Sequence, residues 1–119
     1  SDVYKRQPLR EEQLSEPEEG RENLTVGVCP DLKEYVNRVV TVTGEVHFIA
    51  MIPEVRLPYN AVVDTGACRI GVLIRQRVEE GSRVTITGVV RRGYVERLSG
   101  EGWVKGEEVY FVVATQVKD

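Results

Sequence analysis

One histidine and two cysteines are all the imidazole and thiol that the 119 residues offer. A zinc site needs about four such ligands at close spacing. His47, Cys29 and Cys68 supply neither the number nor the spacing, so no metal is expected. No nucleophile and base stand together in a motif, no carboxylates form a recognisable catalytic pair, and no phosphate loop is present. The glycines between 100 and 106 precede no helix, which argues against a dinucleotide loop. The expectation is a protein that is not an enzyme and takes no cofactor. No stretch approaches the roughly 20 apolar residues of a membrane span. The N-terminus has no apolar signal-peptide core. Cytoplasmic residence without membrane contact is the default, and there Cys29 and Cys68 read as two buried thiols in preference to a disulfide.

What is present is valine, arginine and glycine. Apolar residues at 41% and charged residues at 29% fit one globular domain, long enough to bury a core without staples. The net charge of −3 is uneven. Residues 1–23 hold seven acids and four bases, whereas residues 24–119 hold twelve of each. The chain therefore divides into an acidic, flexible extension over 1–23 and a neutral domain over 24–119. Ser1–Gln7 resembles leader sequence introduced by cloning or sequencing and carries no functional weight. A turn or two of helix fits 9–15. The acidic run is a solvated tail, or else an arm that binds a partner or shields a basic groove.

In the domain, Asp31 is placed to cap a short helical turn, with Glu34 three residues on. Leu32, Tyr35 and Val36 fall on its buried side, so this turn plugs one end of the strands that come after it. From residue 38 the apolar period becomes two. Val40, Val42 and Val46 alternate with Thr41, Thr43 and Glu45, which marks a half-buried strand. Residues 50–58, with Pro53 and Pro58, read as a loop. Further strands are expected over 60–64, over 68–74 with Ile70, Val72 and Ile74 inward, over 84–90, and over 109–117. A glycine-rich excursion fills 93–106. Gly44 and Gly88 fall on the inward parity of their strands, where a closed sheet must coil sharply. Five strands without a long helix predict a closed barrel, which also removes the exposed edges of a valine-rich sheet.

Asp31-Leu32-Lys33-Glu34-Tyr35 followed by Val40-Thr41-Val42-Thr43-Gly44-Glu45-Val46 resembles the opening of OB-fold nucleic-acid-binding domains. Ala61-Val62-Val63-Asp64-Thr65-Gly66 with Ile70-Gly71-Val72 is similar to their second and third strands, and Gly81–Val90 to their fourth. The likeness spans about residues 31–117 and is similar in style to single OB domains of replication protein A-type and anticodon-binding-type proteins, particularly archaeal ones. It implies an all-β, five-stranded antiparallel Greek-key barrel with a short N-terminal helical turn. One departure is clear: Arg75–Ser82 is too short for the helix such barrels commonly carry between strands three and four.

The resemblance implies a ligand face on strands two and three, flanked by the loops between strands one and two and between four and five. Nucleic acid needs cations for phosphates and flat rings for bases. The candidates are Arg56, Tyr59, Arg69, Arg75, Arg77, Arg91, Arg92, Tyr94, Arg97, Trp103 and Lys105. Between 69 and 97 seven arginines face three glutamates. Single-stranded DNA or RNA is the expected partner. The bland alternative is also physical: arginines solvate an outer face, Tyr94 and Trp103 pack across a long hairpin, and Phe48 anchors a loop. The second functional reading is a protein-interaction subunit of a replication protein A-like or telomere-capping-like assembly, or a homo-oligomer, with Leu57, Val62, Leu73, Val89 and Leu98 as its apolar surface.

Overall fold

The computed structural model describes residues 23–25, 27 and 29–119. The acidic tail and the helical turn expected over 9–15 lie outside them. The described chain is mostly β. Its elements are β1 (Asn23–Thr25), a 3-10 helix (Leu32–Tyr35), β2 (Val39–Phe48), β3 (Val55–Arg56), β4 (Ala61–Asp64), β5 (Arg69–Leu73), β6 (Arg83–Ser99) and β7 (Gly102–Lys118).

Five of these strands close into a ring in the order β2-β4-β5-β7-β6, with β6 returning to β2. All neighbours in the ring are antiparallel except β5 and β7, which run parallel. β2 makes closure feasible because it serves two partners in succession. Val39–Glu45 pair with β6, and Glu45–Phe48 pair with β4. The change of partner comes at Glu45, and at Gly44 beside it a Cβ would lie 2.3 Å from the Asp64 carbonyl oxygen. Gly88 in β6 is confined in the same way, 2.2 Å from the Val113 carbonyl oxygen. Both inward glycines therefore stand where two strands cross too closely for any side chain.

Alternation fills the ring as the valine pattern predicts. Val40, Val46, Val63, Val72, Val84, Ile86, Val90 and Val112 are fully buried, and Val42, Ile70 and Ile74 complete the core. Removal of each such side chain from water stabilises the fold by about 1.5–3 kcal/mol. The 3-10 helix closes one end. The Asp31 carboxylate accepts from the Lys33 N–H, and Leu32 is buried against the core with Tyr35 and Val36 packed beside it. Arg75–Ser82 carries no helix.

Three features differ from the expectations above. The segment 93–106 is not a loop, because β6 and β7 continue past the ring as a hairpin arm to a turn at Gly100–Glu101. Within the expected loop 50–58, Val55 and Arg56 pair with Arg97 and Glu96 and add a third strand to that arm. Cys29 and Cys68 are joined by a disulfide, their Cα atoms 5.6 Å apart. They are not two buried thiols: Cys29 is exposed and Cys68 half-buried. Alternation cannot reveal this tie, since Cys29 lies in irregular chain that reaches β5 only in three dimensions.

His47 and Phe48 are the last residues of β2. His47 Nδ1 lies 2.8 Å from Glu80 Oε2, and its Nε2 lies 3.0 Å from Glu45 Oε1. The Phe48 N–H donates to Glu80 Oε1. The hydrogen bonds to Glu80 and then Glu45 raise the His47 pKa above its ordinary 6.5. The Phe48 N–H and then His47 lower that of Glu80 below 4.5. The His47 contribution is complete below pH 6.5 and fades as pH rises through the raised value. The Glu80 contribution is complete above pH 4.5 and fades as pH falls through the lowered value. Wild type should therefore exceed His47→Asn in melting temperature most between pH 4.5 and 6.5. A difference that is flat with pH would show that the pair contributes nothing to stability.

Candidate ligand groove

Two register pairs, Val72↔Val112 and Leu73↔Val113, join β5 to β7. Toward the N-terminal end of β5 a groove of about 410 Å³ opens. Arg69, Ile70 and Gly71 line one side of it, Glu108, Val109 and Tyr110 another, and Cys29–Lys33 a third. Tyr59 completes the lining.

Each wall has a local cause. β5 turns Ile70 and Val72 inward, so Arg69, Gly71 and Leu73 face out. Because Gly71 has no side chain, the Tyr59 ring rests on it, about 3.1 Å from where a Cβ would sit. Tyr59 also meets Phe111, with ring centroids 6.0 Å apart. Its neighbour Asn60 fixes the approach. The Asn60 side-chain amide donates to the Ile74 carbonyl and accepts from the Ile74 N–H, mimicking one more residue pair of the β4–β5 ladder. The disulfide binds the Cys29 wall to the entry of β5. Tyr110 comes from β7. Its hydroxyl donates to Glu108 at 3.0 Å, and burial, then that bond, pushes its pKa above 10, so it is a neutral phenol at pH 7.

The electrostatics are mixed. Arg69 is 72% exposed and reaches Asp64 at only 3.8 Å, a pairing worth little in water. Lys33 lies across the groove. Arg92 stands 3.5 Å from Glu108. Asp31 and Glu108 are the acids of the lining.

The residues singled out from the sequence do not form one face. Tyr59 and Arg69 line the groove, and Arg92 borders it through Glu108. Arg75 and Arg77 are exposed in the connection after β5. Arg91 turns to the end plug and donates to the Asn37 side chain. The rest belong to the arm and are occupied there. The Arg56 guanidinium lies 3.9 Å from the Trp103 ring centroid and 3.6 Å from Glu96. Lys105 Nζ lies 4.4 Å from the Tyr94 ring centroid, and Arg97 pairs with Glu107 at 3.1 Å. Tyr94 and Trp103 do not pair across the hairpin, where their partners are Glu108 and Leu98. Two of the seven arginines between 69 and 97, Arg92 and Arg97, are thus met by glutamates of the opposite strand.

Lys33 and Tyr110 are groove residues that no sequence signal marked. Tyr110 lies near the middle of β7, but no local pattern says that β5 and β7 part beside it. Of the apolar surface candidates, Leu57, Val62, Leu73 and Val89 are half-buried and Leu98 is exposed. Met51, Ile52 and Val104 are exposed as well. Among the described residues no helix is long and apolar enough to cross a membrane. Comparison with protein-family models, curated proteins and solved structures finds no match to the chain.

Proposed function

We propose that the ring is an OB-fold barrel and that its groove binds single-stranded nucleic acid without catalysing a reaction. The fold reading rests on closure by five strands and on the parallel meeting of the third ring strand with the fifth. The connection from β5 to β6 sets β6 beside β2, so that four strands lie in the order β6-β2-β4-β5, the fourth beside the first as in a Greek key. OB-folds bind oligonucleotides on the outer face of strands two and three, between the connections one-to-two and four-to-five.

The observation that carries the ligand reading is a groove against the third ring strand that gathers two tyrosines and two lightly held cations. Tyr59 and Tyr110 offer ring surface for bases, each contact worth about 1–3 kcal/mol. Arg69 and Lys33 meet phosphates, and Arg92 adds a third cation once released by Glu108. Two phosphate contacts to a single strand give log affinity against log salt a slope of about −1.4.

The test is fluorescence anisotropy with labelled oligo-dT and oligo-rU of about 15 nucleotides. Tyr110→Ala should weaken binding by about 1–3 kcal/mol. Arg69→Ala should reduce the salt slope by about 0.7. Arg97→Ala, on the neutralised arm, should leave affinity unchanged. If neither oligonucleotide binds at low salt, or if Arg97→Ala matters more than Arg69→Ala, the groove is not the site.

A protein partner on the arm is the second reading, favoured by the exposure of Met51 (94%), Ile52 (56%), Val104 (52%) and Leu98 (47%). Ile52→Glu with Leu98→Glu would abolish such an interaction and spare oligonucleotide binding.

A further inference from the structure

We infer that the Cys29–Cys68 disulfide is a redox latch on the groove, so that a dithiol reductant weakens ligand binding by freeing one wall. The inference rests on the groove being the ligand site. Both cysteines line it. The wall that Cys29 belongs to also carries Pro30, Asp31 and the cation Lys33, and Cys68 immediately precedes the opposite cation, Arg69. A single covalent bond therefore ties the Cys29 end of one wall to the entry of β5.

The two cysteines are unequally exposed. Cys29 is exposed and Cys68 half-buried, so an incoming thiolate reaches the Cys29 sulfur. Its attack forms a mixed disulfide at Cys29 and breaks the Cys29–Cys68 bond. Cys68 leaves as a thiolate and takes a proton from water. The second thiol of the reductant then attacks the mixed disulfide and releases Cys29. Two electrons and two protons pass from the dithiol to the cysteine pair, and the dithiol becomes a disulfide.

What loosens is local. On one side of Cys29, β1 remains paired to β2 through Asn23↔Val39, Leu24↔Val40 and Thr25↔Thr41. On the other, Leu32 stays buried in the ring end. Only the span between these anchors, containing Cys29, Pro30 and Asp31, gains freedom. A ligand must then order that wall on binding, which costs affinity. In an oxidising compartment the latch is closed, and in a reducing cytoplasm it is open.

The experiment compares full-length protein, oxidised and treated with dithiothreitol, by oligo-dT anisotropy and by amide hydrogen exchange at low temperature. The latch predicts affinity at least tenfold weaker after reduction, with faster exchange at Cys29 and Asp31. Exchange over Val40–Val46 and Val84–Val90 should stay slow, showing that the ring is folded. Protein whose two sulfurs are joined by a methylene bridge, which the reductant cannot cleave, should keep its affinity. Binding unchanged by reduction, or exchange at 29–31 unchanged, overturns the latch. Failure of the oxidised protein to bind overturns the groove reading instead, and exchange alone then decides whether reduction frees the wall.

Discussion

Alanine at Gly88 should lower the melting temperature by roughly 10–20 °C, and alanine at Gly44 should do the same. The added Cβ at Gly88 would stand 2.2 Å from the Val113 carbonyl oxygen and 2.7 Å from a Val112 methyl carbon. At Gly44 the corresponding distances are 2.3 Å to the Asp64 carbonyl oxygen and 2.7 Å to a Val63 methyl carbon. A flexible side chain could swing away, but a backbone carbonyl in a ladder moves only with its strand. Relief at Gly88 would separate β6 from β7, and relief at Gly44 would separate β2 from β4. Overpacking of this kind costs about 1–3 kcal/mol, more where backbone must shift, and each kcal/mol lowers the melting point by about 4–8 °C in a domain of this size. Gly100, at the tip of the arm, has nothing within 4 Å of its Cβ position, so Gly100→Ala is the matched control and should melt with wild type. Equal tolerance at all three positions, measured by circular dichroism, would show that the strands do not cross this closely.

Removal of the disulfide should cost about 3–4 kcal/mol of unfolding free energy. The bond joins residues 39 apart in sequence, and loop-closure entropy for a span of that length gives a value between those of short and very long loops. Urea unfolding of the oxidised protein should have its midpoint lowered by reductant. Cys29→Ser/Cys68→Ser should match the reduced form and ignore reductant. A loss below about 1 kcal/mol would mean that the bond does not constrain the unfolded chain as loop-closure entropy requires. A large loss with the ring still closed at low temperature fits the latch, because the bond tethers a wall and not the core.

The ring was legible because alternation is a local signal. Val40, Val42 and Val46, Ile70, Val72 and Ile74, and Val84, Ile86 and Val90 each report an inward face without knowledge of any partner. Gly44 and Gly88 interrupt that parity at inward positions, and both prove to be crossing points. The plug was legible from Asp31 and Leu32 for the same local reason. The arm was not. Gly93, Gly100, Gly102 and Gly106 give 93–106 the composition of a loop, yet cross-strand pairs such as Arg97↔Val104 and Leu98↔Trp103 hold it as strand. Strand content there is decided by pairing, not propensity.

The candidate groove was legible in part. Tyr59 and Arg69 could be named because the resemblance pointed to the third ring strand and the first connection. The surplus of arginine between 69 and 97 does not become one cationic face, because sequence proximity is not spatial proximity. Glu107 and Glu108 sit opposite that stretch on β7, and Arg92 and Arg97 meet them. Tyr110 enters the groove only through the parting of β5 from β7, and Lys33 through the docking of the 3-10 helix on the ring, both long-range facts.

The central claim, that the groove between β5 and β7 receives a single nucleic-acid strand, is tested most directly by amide chemical shifts of isotopically labelled, oxidised protein during titration with oligo-dT. Shifts should move at Lys33, Tyr59, Arg69–Gly71 and Glu108–Tyr110, saturate together, and revert as salt is raised. Movement confined to Glu54–Leu57 and Arg97–Lys105 on the arm, or no movement at low salt, would contradict it.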